Sequence, residues 1–375
     1  MDRPRPRPQP VRSVGRRLCR LALVAGWLAL GAGAVHAADL PEPLWAYGYA
    51  TPPAPGDQPR PPTVPRTSRD LRTNEPAAEQ TRLRHVAGSR AAFSRVDIRD
   101  SGNVADWFPE DHPPMPNVVV HGPASLGPAS WGCALCHLPT GRGRPENAPV
   151  AGQPVAYFLR QLEDFRNGAR ASADPRKPNT PVMTGLARAM SPAEMQAAAE
   201  YFGAMKWTPW TRVVETDRVP VTRIEGNLFQ PTGEDRTEPI AGRIIEVPAD
   251  VEQTEVLRNP RAGFIAYVPP GSIARGRDLV TTGGQRGAGG RTVPGRTLAC
   301  AACHGPDLMG LADVPGIAGR SPSYLVRQLY DLQSGTRRGK SAPLMLPVVA
   351  QLTGDDLVAI AAYVTSLPPP SAPPP

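Results

Sequence analysis

Cys133-Ala134-Leu135-Cys136-His137 and Cys300-Ala301-Ala302-Cys303-His304 are two copies of the pattern C-x-x-C-H. This is the spacing at which a chain takes up a c-type haem. Two thiols add to the two vinyl groups of one haem, and the adjacent histidine coordinates the iron as fifth ligand. A single copy could equally be half of a zinc site or a redox dithiol. Here two copies use every cysteine after Cys19. They read as attachment sites for two covalently bound haem c groups, on Cys133 and Cys136 and on Cys300 and Cys303. His137 and His304 are the expected iron ligands.

Working outward, the residues around the two motifs match at a fixed offset of 167, the distance from Cys133 to Cys300. Ala151-Gly152 matches Ala318-Gly319, Tyr157 matches Tyr324, and Arg160-Gln161-Leu162 matches Arg327-Gln328-Leu329. Arg170 matches Arg337. The first copy then carries five extra residues, after which Pro181-Val182-Met183 matches Pro343-Leu344-Met345. A fixed offset with matching residue types indicates duplication of one unit. Within each copy the punctuation is helical. Pro154 suits a first helical turn, and Phe158, Leu162 and Phe165 recur at near-helical spacing before Gly168. Ser191-Pro192-Ala193-Glu194 and Thr353-Gly354-Asp355-Asp356 read as capping boxes opening a last helix in each copy. The plan is motif, loop, helix, methionine loop, helix.

Each iron needs a sixth ligand or an open face. Met183 and Met345 occupy equivalent places, each two residues after a proline, and are the expected metal ligands opposite His137 and His304. Met190 is the reserve for the first. The remaining histidines of the exported part, His85, His112 and His121, all precede the first motif, which disfavours bis-histidine ligation in the second. The paired arginines Arg160 and Arg327, Arg170 and Arg337 are expected to include partners of the haem carboxylates.

The chain opens like a secretory leader. Seven arginines precede an apolar run, Leu21 to Val35, and Val35-His36-Ala37 resembles a cleavage site. Residues 1–37 are therefore expected to be a cleaved signal peptide and the site of action the periplasm. An uncleaved anchor is the alternative. The whole chain of 375 residues carries a formal charge of +8. Removing seven arginines and Asp2 with the leader brings this to +2, so the basic balance points to no nucleic-acid partner.

Cys300 to Gly305, Pro315 to Gly319, Tyr324 to Leu329 and Met345 together resemble class I cytochromes c, most closely the di-haem cytochromes of the cytochrome c4 type. The resemblance covers about 121–206 and 269–367. It implies a mainly α fold of two tandem cytochrome c domains, each with a His/Met haem. It also implies that Pro315 accepts a bond from the ring of His304, whereas Pro149 lies one position late to do the same for His137. The remainder is expected as a proline-rich extension over 38–120, a partly β connecting segment over 207–268 and a disordered tail over 368–375. Strands are expected at Arg243 to Val247 and Phe264 to Val268. The run Asp106 to Pro116 reads as an ordered segment packed on the first haem domain. The function implied is electron transfer between redox protein partners, including a membrane-bound complex, with no catalysis by the chain itself. A dedicated cytochrome subunit of a periplasmic dehydrogenase is the alternative, and a di-haem peroxidase a weaker one.

Overall fold

The structure is a computed structural model that describes residues 43–63, 71, 74–127, 130–285 and 295–368. The expected signal peptide with Cys19, residues 38–42 of the extension and the tail beyond Pro368 lie outside the described residues.

The extension forms short helices: α1 (Leu44–Tyr47), α2 (Ala77–Thr81), α3 (Arg95–Ile98) and α4 (Asn117–His121). Ser94 and Asp97 form a capping box on α3. Prolines keep 106–116 out of an α-helix, and it makes only a 3₁₀ turn at Pro109–Asp111. This run is anchored chiefly on the connecting segment. Trp107 Nε1 donates to the Leu257 carbonyl at 2.7 Å, and the Arg261 guanidinium sits 3.6 Å over the Phe108 ring. Against the helices around the first motif the run places Met115, which packs on the core of Leu162, Ala198 and Phe202, and His112 beside Tyr201, centroids 6.0 Å apart. Trp107 and Phe108 are fully buried with Val86, Ile98 and Leu257, each worth about 2–3 kcal/mol in area removed from water.

Around the first motif stand α5 (Cys133–His137), α6 (Val155–Arg166), α7 (Asn179–Ala189) and α8 (Pro192–Gly203). Pro154 is the N-cap of α6, and Gly168 closes the segment at φ +69°, a conformation that costs glycine little. Ser191 and Glu194 form the capping box of α8. One expectation fails here: Met183 does not lie in a loop but inside α7. The five extra residues supply enough chain to start a helix at Asn179. Pro181 then falls in its first turn, where a missing N–H is not needed.

Around the second motif stand α9 (Ser272–Thr282), α10 (Ala301–His304), α11 (Pro322–Gln333), α12 (Leu346–Val349) and α13 (Gly354–Ser366). Met345 sits between the 3₁₀ turn Ala342–Leu344 and α12. Thr353 and Asp356 cap α13. Helices α9 and α13 touch closely at Gly276, where a Cβ would stand 1.9 Å from the Ala359 carbonyl oxygen.

The connecting segment folds into β1 (Thr211–Glu215), β2 (Arg218–Pro220), β3 (Thr222–Glu225), β4 (Leu228–Pro231), β5 (Thr237–Pro239), β6 (Ile245–Pro248) and β7 (Phe264–Val268). Strand β7 is central in a three-stranded sheet, parallel to β1 and antiparallel to β6. Alternation assigns its faces. Ala266 and Val268 join the core of α9, α11 and α13, while Ile265 and Tyr267 lie against Val219, Phe229 and Ile240. The connecting segment thus contributes to the same core as the second helical set.

Candidate haem-attachment sites

The chain around each histidine is tied by the same bonds. Gly143 N–H donates to the His137 carbonyl and Gly310 N–H to the His304 carbonyl, both at 2.9 Å. Val150 N–H donates to Gly141 and Ile317 N–H to Leu308, both at 2.8 Å. Gly152 reaches the Phe202 carbonyl of α8 and Gly319 the Val364 carbonyl of α13. Leu138 at φ +63° stands where the second copy has Gly305 at φ +84°.

Both imidazoles are buried, and burial lowers the pKa of each. His137 Nδ1 donates to the Ala148 carbonyl at 2.8 Å, and His304 Nδ1 donates to the Pro315 carbonyl at 2.8 Å. A carbonyl only accepts, so Nδ1 carries the hydrogen and Nε2 is left with its lone pair, the tautomer an iron ligand needs. The displaced Pro149 is therefore immaterial: the acceptor is a backbone oxygen, and Ala148 provides it at the matching position. The Pro149 carbonyl accepts instead from Arg320 at 3.2 Å.

None of the four described cysteines is in a disulfide. Burial pushes the Cys133 thiol up to about 12 and the Cys300 thiol up to about 11, and raises Cys136. Reactive dithiols have depressed pKa values, which sets Cys133, Cys136 and Cys300 apart from them.

A cavity of about 470 Å³ opens beside the first motif. Cys133, Cys136, His137 and Met183 all line it, with apolar walls from Phe158, Leu162 and Phe202. Met190 lines it too, so the reserve ligand is as near the cavity as the first choice. At its polar end Lys177 Nζ, Glu146 Oε2 and Asn179 Oδ1 are buried without hydrogen-bond partners among the described residues. An apolar slot with two thiols, an imidazole and unpartnered polar atoms fits a flat apolar group with charged substituents, which is what a haem is. At the second motif Cys300 and Met345 are partly buried and pack against the core of α9, α11 and α13, and Cys303 is exposed.

The paired arginines separate. Arg170 reaches Gln161 Oε1 at 3.0 Å, Gln328 Oε1 at 2.7 Å and the Tyr324 hydroxyl at 3.2 Å. Arg337 reaches Gln328 Oε1 at 3.2 Å, Gln161 Oε1 at 2.9 Å and the Tyr157 hydroxyl at 3.0 Å. The two sets exchange partners almost symmetrically, and Arg170 and Arg337 also form a backbone bridge. Arg170 and Arg327 line the cavity. Arg160 is instead held by Asp313 at 3.0 Å, away from the cavity lining. Sequence reasoning missed Lys177 and Arg258, which line the cavity as well. The five-residue insertion is the signal that could have singled out Lys177. Nothing in the pattern marks Arg258.

A mainly helical fold carrying two such histidine–dithiol segments defines a haem-bearing protein of the electron-transfer class. No family model matches the chain. Among curated proteins, the thiosulfate dehydrogenase electron acceptor of Stutzerimonas stutzeri is 26% identical over 251 residues, 66% of this chain and 84% of that protein. Cytochrome c4 of Pseudomonas aeruginosa is 24% identical over 251 residues, 66% of this chain and 89% of that protein. Cytochrome c-554(548) of Halomonas halodenitrificans is 41% identical over 68 residues, 18% of this chain and 82% of that protein. The chain belongs to the c-type cytochromes, and its longer matches are to proteins of the cytochrome c4-like kind.

Proposed function

We propose that this chain is a periplasmic electron carrier with two covalently attached haem c groups, one on Cys133 and Cys136 under His137, the other on Cys300 and Cys303 under His304. The observation that carries the reading is the pair of identical 2.8 Å bonds, each from Nδ1 to a carbonyl eleven residues on. They present two Nε2 atoms in the ligating tautomer beside two thiol pairs. The repeated backbone bonds support an origin by duplication, with tandem haem units near 121–206 and 269–367. A haem iron takes up and releases one electron. The chain's residues fix its surroundings. The carbonyl of Ala148 or Pro315 orients the imidazole and strengthens it as a donor. Met183 and Met345 would complete coordination and raise the potential. Phe158, Leu162 and Phe202 keep water from the first haem face.

The partners proposed are redox proteins on either side of the carrier. One relative is named an electron acceptor of thiosulfate dehydrogenase, which favours a dehydrogenase as donor and supports the second reading, a dedicated cytochrome subunit. Among the described residues no helix is long and apolar enough to cross a membrane. Denaturing mass spectrometry of the purified protein tests the proposal. It should give the chain plus two haems; a mass with none overturns it.

A further inference from the structure

Lys177 is 4% exposed and lines the 470 Å³ cavity, and its Nζ has no hydrogen-bond or ion-pair partner among the described residues. The acids that could neutralise it are engaged elsewhere. Asp174 is held by Arg176 at 2.6 Å, Asp331 by the Tyr47 hydroxyl at 2.7 Å, and Glu146 through Oε1 by Arg144 at 2.8 Å, while its Oε2 is unpartnered and makes no ion pair with Nζ. An ammonium taken from water without an anion is costly. Burial, and then Arg327, accordingly drives its pKa well below the usual lysine value. Lysine is among the side chains least often buried unpaired.

The placement is constrained from both sides. Lys177 lies in the stretch 171–180, which is five residues longer than 338–342 of the second copy. Its turn is fixed by the Asp174 side chain, which accepts from the Arg176 backbone at 2.9 Å and from its guanidinium. The N-terminal extension then seats this turn. The Tyr49 hydroxyl donates to the Arg176 carbonyl at 2.8 Å, and the Arg176 guanidinium stacks 3.9 Å over the Tyr49 ring. Arg176 also reaches the Thr51 carbonyl at 2.9 Å. The cavity therefore has an amine placed in it by two segments, the longer loop of the first copy and the N-terminal extension.

We propose that Lys177 is the cationic partner of a carboxylate of the haem held by His137, and that it sets the potential of that haem above the value it would otherwise have. This rests on the reading that the cavity holds a haem. A positive charge beside the haem opposes the gain of positive charge on oxidation and so favours the reduced state. It also offsets a propionate, which favours the oxidised state. The extension and insertion together then act as a device that separates the two haem potentials.

The test uses the full chain with both haems, in Lys177→Gln, Lys177→Arg and Tyr49→Phe forms. Haem number is read by denaturing mass spectrometry and the two couples by optical redox titration. In Lys177→Gln one couple should favour the oxidised form about tenfold more, a fall of about 59 mV for one electron, with the other couple unmoved. Lys177→Arg should restore it. Tyr49→Phe, which loosens the seat and leaves the cavity lining alone, should lower the same couple by less, and serves if Lys177→Gln does not mature. Two haems with neither couple moved by Lys177→Gln or Tyr49→Phe overturns the proposal while leaving the electron-carrier reading intact. Wild-type chain without a haem on Cys133 and Cys136 overturns both.

Discussion

Asp356 has its side chain 1% exposed and accepts from the Thr353 N–H and hydroxyl, from Arg275 at 2.6 Å and from Arg296 at 2.8 Å. Burial opposes its ionisation, but these donors outweigh it and hold the carboxyl below its ordinary 3.8. A depressed carboxyl pKa contributes stability that is present above the unfolded value and is lost as the pH falls through the folded one. Asp356→Asn should thus cost about 2 kcal/mol at pH 7, and the gap from wild type should close as the pH drops below about 4, followed by urea denaturation. At the same scale Met183 and Met190 compete for the first iron, since both line the cavity. Met183→Ala should remove about half of the methionine-to-iron charge-transfer band of the oxidised protein, and Met190→Leu should leave it whole. The reverse result reassigns the ligand.

Among the elements, the α9–α13 pair is one that a single methyl group can part. With a Cβ at Gly276 only 1.9 Å from a backbone oxygen, no rotamer change relieves the clash and the helices must separate. Gly276→Ala should destabilise at the upper end of overpacking effects, about 3 kcal/mol, read as a lowered denaturation midpoint. The glycine was not legible in the sequence, because an isolated helical glycine gives no sign of which neighbour approaches it. The capping boxes at Ser191 and Thr353 were legible, since a cap is a local contract between residues three apart. The strand at Phe264–Val268 was legible too, as a short β-branched and aromatic run among turn residues. Helix α7 was missed because a proline at Pro181 reads as a breaker until the helix start two residues earlier is known. The dithiol and histidine positions could be read directly from spacing. Lys177 could not, because its significance depends on a cavity whose walls come from segments far apart in the chain.

For the molecule as a whole, the segments outside the two motif-bearing stretches are built into the core. Tyr47, Ile244, Ala266 and Val268 are each fully buried in the cluster that contains α11 and α13, and Arg144 of the loop after the first motif pairs with Glu255 of the connecting segment at 2.6 Å. Limited proteolysis of the holoprotein should accordingly spare 210–265. Rapid cutting there into two haem-bearing fragments would contradict this packing.

Helix α1 gives the chain an order of events. Tyr47 binds Asp331 across 284 residues, and Arg327 binds the Ala46 carbonyl across 281 at 2.6 Å. A ribosome delivers residue 47 long before residue 331, so the seat for α1 does not exist until most of the polypeptide has been made. Closure of so long a loop is slow compared with local helix formation. Through that interval α1 stays off the core that α11 and α13 complete. In a refolding experiment with pulsed hydrogen exchange, the amides of 44–47 should be among the last to gain protection.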